Sequence, residues 1–314
     1  MKIYVGLPLS DSDRRIILER TPGDQVWFAH PTQPTETDRR AFLEAEVALG
    51  AFPEDLLTAA PRLRWLQLGS AGVDNLRHLD WAAVAGRLTC TNMRGVFAEP
   101  MVQTVLGGIL ALLRGLDQFV TLKTAADWQK PRLHTRHQRL DGVHVLLLGV
   151  GSVNARLRAV LEPFHCTYTT FGRTSGDIHT LADLDAALPR ADIVCAALPE
   201  TAETRDLING DRLARFKPGA LFVNVGRGSL VVEADLITAL EAGHLGGALL
   251  DVTRREPLPP EDPLWHAPRT ILTQHTCGGS DRVFGDMLDY FEYNLTRYRA
   301  GQPLENIVDW SRGY

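Results

Sequence analysis

The sequence predicts an α/β protein with two domains, each built on a doubly wound parallel sheet. Short apolar runs of strand length alternate with helical patterns along nearly the whole chain, which is typical of parallel sheets covered by helices. Near the middle, residues 144–161 form an apolar run, a glycine turn and a helical pattern in immediate succession. The length of 314 residues suits two domains of ordinary size.

The first hundred residues supply the predicted sheet of the first domain. Its strand-like runs are KIYVGL, QVWFA, VALGAF, RWLQLG and RLTCTN. A helix over SDSDRRIILER follows the first run, with Ser10 or Asp11 as its cap, and another helix is expected from about Pro53. Residues 98–126 are predicted to form one long apolar helix, and a polar loop follows at 127–142.

From residue 144 onward the alternation of strands and helices continues into the second domain. The predicted strands are HVLLL, CTYTTF, IVCAALP, ALFVNV, GALLDV and TILTQH. Helices are expected from about Val153, over LADLDAAL, near residues 210–215, over VEADLITALEAG up to Gly243, and from about Ser280.

The glycine turn has the context that a dinucleotide-binding fingerprint requires. Gly149 permits the tight turn after the strand, and Gly151 lets the backbone approach a pyrophosphate. The helix that starts at Ser152 and Val153 would then offer unpaired N–H groups to that anion. The third glycine of the usual pattern is replaced by Asn154, which weakens the motif when it is taken alone.

Three polar residues follow successive strand-like runs of the second domain. Arg227 stands in NVGRG, Glu256 in DVTRREP and His275 in ILTQHTCGG. A guanidinium can hold a carboxylate and polarise the adjacent carbonyl, while a histidine protonates the developing alkoxide and a glutamate orients that imidazole. Each residue alone also fits a plainer role, in a turn, a solvated loop or the structural framework. Together they predict the reduction of a 2-keto acid.

Motifs along nearly the whole chain resemble those of one enzyme family. They are LQLGSAGVDNL, GVFAEPMVQTVLGGILALL, LLLGVGSV, LPETAETRDLI, FKPGALFVNVGRGSLVVEADLITALEAGHLGGALLDV and EPLPPEDPLW. With the intervals between the three polar residues, they resemble the D-isomer-specific 2-hydroxyacid dehydrogenases, which include glyoxylate and hydroxypyruvate reductases. The departures from that pattern are Asn154, Gln274 in place of proline, and Gln103-Thr104 in place of an acidic–aromatic or Glu-His pair.

The resemblance implies a Rossmann dinucleotide-binding domain at 98–283 and a flavodoxin-like substrate-binding domain at 1–97, completed by residues 284–314. It implies NAD(P)H-dependent reduction of a small 2-keto acid to the D-2-hydroxy acid, in a cleft between the domains. Arg227 would bind the substrate, His275 would act as general acid and base, and Glu256 would tune the histidine. The family is also dimeric, which implies a homodimer here.

Further site residues are assigned by the same resemblance. The amides of Ala71 and Gly72 are expected to bind the substrate carboxylate, although an ordinary tight turn explains these small residues equally well. The residues expected around the cofactor are Leu198, Pro199 and Thr204 over the adenine and ribose, the backbone of Val225, and Asp251 at the nicotinamide carboxamide.

The residues after CTYTTF predict a preference for NADP(H), with NAD(H) possible. An NAD enzyme usually presents a carboxylate there to the ribose 2′-hydroxyl, but the position is Gly172, followed by Arg173, Thr174 and Ser175. Arg173 can pair with a 2′-phosphate, and the hydroxyls can donate to it. The alternative is that Arg173 points to solvent or stacks on adenine. Gly172→Asp is expected to shift the preference toward NADH.

Composition argues against several other classes of protein. A hydrophobic content of 45%, a charged content of 23% and a net charge of −5 without charge blocks give no footprint for nucleic acid or membrane. The N-terminal residues lack a signal-peptide pattern, so a cytoplasmic location is expected. The four scattered cysteines predict reduced, buried thiols. No metal site is expected, because the pair His134 and His137 lies in a polar stretch.

Two other functions and one structural question stay open. The same fold serves corepressor-like modules that sense nucleotides, although the three polar residues are all retained here. A dehydrogenase for a bulkier or phosphorylated D-2-hydroxy acid is the other possibility. The apolar helix at 98–126 predicts a homodimer built around it, with burial inside the monomer as the competing account.

Overall fold

The structure, a computed structural model, describes residues 1–129 and 137–312. These residues divide into two compact units. Unit 1 comprises Met1–Phe97 with the residues from Ser280 onward, and unit 2 comprises Ala98–Gly279. The sequence had suggested boundaries at 97 and 283, so unit 2 ends slightly earlier than expected.

Unit 1 contains a five-stranded parallel sheet. Its strands are β1 (Lys2–Gly6), β2 (Gln25–Phe28), β3 (Val47–Gly50), β4 (Trp65–Gln67) and β5 (Thr89–Thr91). Their order in the sheet is β2-β1-β3-β4-β5, which is the flavodoxin-like order. The helices of this unit are Asp11–Arg20, Glu36–Glu44 and Val283–Arg299.

Capping residues set where the first two helices begin. The Ser10 side chain accepts the N–H of Asp13, whose carboxylate accepts the N–H of Ser10, so the predicted cap is confirmed. Thr35 and Asp38 form the same reciprocal pair before Glu36–Glu44, a helix that was not predicted. Each pair satisfies N–H groups that the first helical turn would otherwise leave open.

The prediction of a helix from about Pro53 is wrong, because only a 3₁₀ turn at Glu54–Leu56 forms there. The segment is short and ends at Pro61, which cannot continue a helical ladder. Aromatic residues hold the C-terminal helix to this unit: Trp65 of β4 stacks on Phe291 with ring centroids 5.2 Å apart. Both rings are buried, so the C-terminal segment completes the core of unit 1.

Unit 2 contains a six-stranded parallel sheet of Rossmann type. Its strands are β6 (His144–Leu148), β7 (Thr167–Phe171), β8 (Ile193–Ala196), β9 (Leu221–Asn224), β10 (Gly247–Leu250) and β11 (Thr270–Leu272). Their order is β7-β6-β8-β9-β10-β11. The chain reverses its direction of travel across the sheet between β6 and β8, and ligands of such folds bind at the carboxyl ends beside this point. Among the described residues of this unit, the helices are Ala98–Arg114, Leu116–Thr124, Ser152–Leu161, Leu181–Ala187, Gly210–Leu213 and Glu233–Glu241.

The prediction of a single helix over 98–126 is wrong, since two helices meet there at an angle of 67°. Gly115 separates them with φ +67°, a left-handed conformation that ends the first helix. The first helix packs on the sheet, where a Cβ on Gly108 would lie 2.5 Å from the Leu249 side chain. Within the described ranges no single helix has the length and apolar composition to span a membrane, although this bent pair reaches both when counted together.

Candidate active site

The carboxyl ends of three neighbouring strands carry the predicted catalytic residues. Arg227 follows β9, Glu256 follows β10 and His275 follows β11. These strands are adjacent and parallel, so their carboxyl ends lie at one edge of the unit 2 sheet. The three residues were predicted to follow successive strands, and in the structure they do so at one edge of one sheet.

His275 and Glu256 are in direct contact. The Nδ1 atom of His275 lies 2.6 Å from Oε2 of Glu256, and the N–H of Thr253 donates to the other oxygen of that carboxylate at 3.0 Å. The two side chains are 56% and 38% exposed, so the pair is accessible to a ligand. A carboxylate in this position fixes the ring orientation and favours a proton on Nδ1.

The backbone before the histidine explains one departure from the family pattern. Gln274 and His275 have φ +52° and +56°, which are left-handed conformations for residues other than glycine. Proline cannot adopt a positive φ, so the proline expected before the histidine would not fit this backbone. The N–H of His275 donates to the carbonyl of Asp251 at 2.5 Å, which helps to hold the turn.

The Asp251 carboxylate is buried and holds residues 273–277, the loop that carries His275. Its Oδ1 accepts from the hydroxyl of Thr273 at 2.6 Å and from the N–H groups of Thr276 and Cys277 at 3.0 Å. Its Oδ2 accepts from the thiol of Cys277 at 2.7 Å. Burial, with Asp251 adding to it, raises the pKa of that thiol. The sequence predicts only that Cys277 is a buried, reduced thiol, and the structure adds its hydrogen bond to this carboxylate.

Arg227 is positioned by its own segment, residues 226–231, called here the arginine segment. The buried Asn224 donates to the carbonyl of Arg227 at 2.9 Å and accepts the N–H of Gly226 at 3.1 Å. A Cβ on Gly228 would collide with the carbonyl group of Thr253, so only glycine allows this backbone approach. The segments that carry Arg227 and Glu256 therefore pack backbone against backbone.

Three charged residues that were not identified from the sequence lie near the contact between Gly228 and Thr253. They are Arg254, Asp206 and Glu233. Arg254 donates to Asp206 and to the carbonyl of Val231, the latter at 2.9 Å. The N–H of Arg254 donates to Glu233 at 2.6 Å. Burial raises the pKa of Glu233, and although the hydrogen bond from Arg254 opposes this, the nearby carboxylates of Asp262 and Glu256 add to it.

The glycine turn fits the phosphates of a dinucleotide. Gly149 has φ +106°, and a Cβ there would lie 2.9 Å from the carbonyl oxygen of Ala197. Gly151 caps the helix that begins at Ser152, and a Cβ there would meet open space. Backbone N–H groups at this helix end can therefore face an anion. Val153 is half-buried in the first turn.

Asn154 adapts the turn to the missing third glycine. Its side chain is 1% exposed and donates to the carbonyls of Leu148 and Gly149 at 3.0 and 2.8 Å. Its side-chain oxygen has no hydrogen-bond partner among the described residues. The amide thus ties the helix to the end of β6, a role that a glycine could not fill.

The loop after β7 is tight around Gly172. The carbonyl of Gly172 accepts from Nδ1 of His179 at 2.6 Å, and a Cβ on Gly172 would collide with the carbonyl oxygen of Ser175. An aspartate at this position would therefore distort the loop as well as add a charge. Arg173 and Thr174 are exposed. The pKa of Glu203 is lowered by a hydrogen bond from Thr201 and, more weakly, by the charge of Arg173.

The remaining predicted cofactor residues follow β8 and β9. Leu198 and Pro199 begin a turn that Thr204 closes, because its hydroxyl donates to the Pro199 carbonyl at 2.7 Å. Val225 is buried, and its N–H pairs with the carbonyl of Ala196. These residues share the carboxyl edge of the sheet with the glycine turn.

The two predicted substrate amides lie in unit 1, after β4. Asn92 donates to the carbonyl of Ala71 at 2.9 Å, and Ser70 donates to that of Gly72 at 2.7 Å. The loop is thus held by side chains. Elsewhere, the four cysteines are buried and free. The described part of the chain brings together no group of three metal-ligating side chains, and His134 lies outside it.

Comparisons with known proteins point to one family. The model described as D-isomer specific 2-hydroxyacid dehydrogenase, NAD binding domain, matches residues 106–277. A glyoxylate/hydroxypyruvate reductase A from Klebsiella pneumoniae is 30% identical over 302 residues, which cover 94% of this chain and 89% of that protein.

Solved structures are similar over the whole chain. A D-isomer specific 2-hydroxyacid dehydrogenase from Xanthobacter autotrophicus Py2, in complex with NADPH and MES, is 29% identical with a TM-score of 0.84 and 99% of each chain covered. An NADPH-dependent glyoxylate/hydroxypyruvate reductase from Sinorhizobium meliloti, in complex with NADP and sulfate, is 26% identical with a TM-score of 0.83 and the same coverage.

Proposed function

Because the chain belongs to the D-isomer-specific 2-hydroxyacid dehydrogenase family, we propose that it reduces a small 2-keto acid to the D-2-hydroxy acid with NAD(P)H. Glyoxylate and hydroxypyruvate are the substrates of choice, since relatives that are 30% identical carry those names. The observation that carries the proposal is the 2.6 Å contact between His275 and Glu256, beside the strand end that bears Arg227.

Each of the three residues has one task in this proposal. Arg227 binds the substrate carboxylate and stabilises the charge that grows on the carbonyl oxygen. His275 holds a proton on the nitrogen that does not face Glu256 and gives it to that oxygen. Glu256 keeps the ring oriented and favours its protonated form. In the opposite reaction, His275 accepts the proton.

The reduced nicotinamide supplies the hydride when it is bound. We assign the pyrophosphate to the glycine turn, where the open space at Gly151 leaves room for an anion. The other residues proposed to hold the cofactor are Ser152, Val153, Leu198, Pro199, Thr204, Val225 and Asp251. For Asp251, a bond to the carboxamide would add to the four that its carboxylate already accepts. Ala71 and Gly72 are proposed to bind the substrate carboxylate through their amides.

We propose NADP(H) as the preferred cofactor. Support comes from the absence of a carboxylate at Gly172, where the Ser175 carbonyl excludes a side chain, and from Arg173 and Thr174 next to it. The two similar structures that contain NADPH or NADP favour the same choice. A 2′-phosphate would meet a cation there instead of a like charge.

A homodimer is proposed as well, through the second helix of the bent pair. Leu116, Phe119 and Val120 on that helix are 51%, 42% and 70% exposed, whereas the first helix buries its apolar face on the sheet. Apolar side chains exposed on one short helix favour burial by a partner. The mass of the protein in solution, measured by light scattering at micromolar concentration, tests the proposed homodimer. A monomeric mass would contradict it.

A screen of 2-keto acids with NADPH and NADH, followed at the nicotinamide absorbance band, tests the proposed function. Glyoxylate and hydroxypyruvate are expected to be reduced, and bulkier or phosphorylated keto acids more slowly. Binding of NADPH without turnover of any keto acid would favour a nucleotide-sensing module instead. His275→Ala serves as the control that separates enzymatic turnover from contamination.

A further inference from the structure

We propose that Arg254 is a positioning residue that fixes Glu256, and through it His275, by tying three segments of the site together. This rests on the proposed function for its catalytic consequence. The segments are the arginine segment, the cofactor segment (residues 198–208) and the glutamate segment (residues 253–256). Arg254 belongs to the last of these and contacts the other two.

The Arg254 guanidinium makes the contacts between segments. Its Nη2 donates to the Val231 carbonyl at 2.9 Å and lies 3.5 Å from the Ser229 carbonyl, both in the arginine segment. The same nitrogen donates to the carboxylate of Asp206 in the cofactor segment. Asp206 is also held to the arginine segment, because its N–H donates to the Ser229 carbonyl at 2.9 Å. One side chain therefore joins all three segments.

The backbone of Arg254 passes this constraint to the catalytic carboxylate. Its N–H donates to Glu233 at 2.6 Å, and the Thr253–Arg254 peptide packs against Gly228. The N–H of Thr253 then donates to Glu256, whose other oxygen contacts His275. Because the Thr253–Arg254 peptide is fixed by these contacts, the adjacent N–H of Thr253 is fixed as well. This N–H holds the Glu256 carboxylate against the imidazole of His275.

The effect is expected on the geometry of the site more than on global stability. Arg254 and Asp206 are 38% and 47% exposed, and ion pairs with that much solvent contribute little to the free energy of unfolding. Small displacements of catalytic groups are costly, by up to roughly a hundredfold in rate for about 1 Å. All three acceptors face a single nitrogen of the guanidinium, Nη2, so a lysine ammonium that reaches this place could keep part of these contacts.

The test compares Arg254→Met with Arg255→Met in the full chain. Arg255 is exposed and adjacent, and no side-chain contact of Arg255 ties segments together in the described structure, so it controls for loss of one cation. Turnover with NADPH and the best keto acid is measured against pH. The His275 ring is followed independently by NMR titration, assigned with His275→Ala. Melting temperatures are recorded for each variant.

Arg254→Met is expected to lower kcat about tenfold, with a smaller change in the KM of the keto acid, while Arg255→Met stays within about twofold of the parent. The midpoint of the His275 titration should move to lower pH in Arg254→Met, because a displaced Glu256 favours the imidazolium less. Arg254→Lys should recover part of both effects. A lower melting temperature with an unchanged titration midpoint and kcat would overturn the proposal.

Asp206→Asn keeps the test decisive if Arg254→Met does not fold. Asp206 has φ +54°, a conformation that asparagine tolerates, and the change removes only the charge partner. A smaller shift of the His275 midpoint in the same direction supports the proposal, and no shift contradicts it. If the parent protein reduces no keto acid but the midpoint still moves in Arg254→Met, the positioning role stands and the proposed reductase function fails.

Discussion

The carboxylate of Glu256 is held from two sides, by Nδ1 of His275 at 2.6 Å and by the N–H of Thr253 at 3.0 Å. With Nδ1 engaged, Nε2 is the histidine nitrogen left to exchange a proton with a substrate. The carboxylate cannot rotate away without losing a backbone hydrogen bond. In the proposed reaction, this arrangement leaves Nε2 to act as the general acid and base.

His275→Ala should lower kcat/KM for keto-acid reduction by roughly a hundredfold or more, and Arg227→Ala by a similar factor. The reason is the loss of the proton donor in one case and of the charge clamp in the other. Glu256→Gln should cost less and should move the pH profile of reduction to lower pH, because the imidazolium loses its anionic partner. Steady-state kinetics across pH provide the measurement.

Arg215→Ala is the matched control for Arg227→Ala, since Arg215 is exposed and follows the short helix Gly210–Leu213. It should keep the parental rate. Near-normal turnover by His275→Ala on the best substrate would show that another group supplies the proton.

The placement of the proposed catalytic residues was predictable because parallel strands bring their carboxyl ends to one edge. Arg227, Glu256 and His275 each follow a strand-like run, so their proximity follows from topology alone. The role of Arg254 was not predictable, because its partner Asp206 lies 48 residues away in the sequence. A contact between two loops depends on their folded positions, which no local pattern specifies.

Local conformations were predicted less well than the fold. The break at Gly115 was missed because glycine is tolerated inside an apolar helical pattern and gives no periodic signal of its own. The helix Glu36–Glu44 was missed although Thr35 and Asp38 form a recognisable capping box. The positive φ of Gln274 could only be seen in the structure, since glutamine rarely adopts it.

Arg173→Ala should lower kcat/KM for NADPH at least about tenfold, or roughly 1.4 kcal/mol, and leave the value for NADH nearly unchanged. A cation near the 2′-phosphate acts only on the phosphorylated cofactor. The same kinetics on Arg215→Ala should show no change in the ratio. Gly172→Asp would not isolate the effect of charge, because any side chain at Gly172 would collide with the Ser175 carbonyl. A parental preference for NADH would contradict the assignment.

The thiols should be unreactive in the folded protein. Burial raises the pKa of Cys195 to about 12, so at about pH 8 roughly one thiol in ten thousand would be ionised even with access to reagent. The buried Cys90, Cys166 and Cys277 also have raised pKa values. Titration with a chromogenic disulfide should detect less than one thiol per chain when folded and all four after unfolding. Rapid labelling of one thiol in the native protein would mean that its surroundings open.

Glu233→Gln should stabilise the protein near neutral pH and have little effect in mild acid. Burial raises the pKa of Glu233 above its ordinary 4.5, even though the hydrogen bond from Arg254 favours the carboxylate. The folded state therefore keeps the proton to higher pH than the unfolded state does. The resulting stability is fully present below pH 4.5 and is lost as pH rises through the folded pKa.

Glutamine keeps an oxygen that can accept the N–H of Arg254 but carries no charge, so it removes this loss. The melting temperature of Glu233→Gln minus that of the parent should be larger at about pH 7 than at about pH 4.5, because only the parent loses stability as Glu233 ionises. Glu241→Gln, on the same helix and exposed, is the charge-matched control and should show a smaller change with pH. A difference for Glu233→Gln that is constant over this range would mean that Glu233 ionises alike in the folded and unfolded chain.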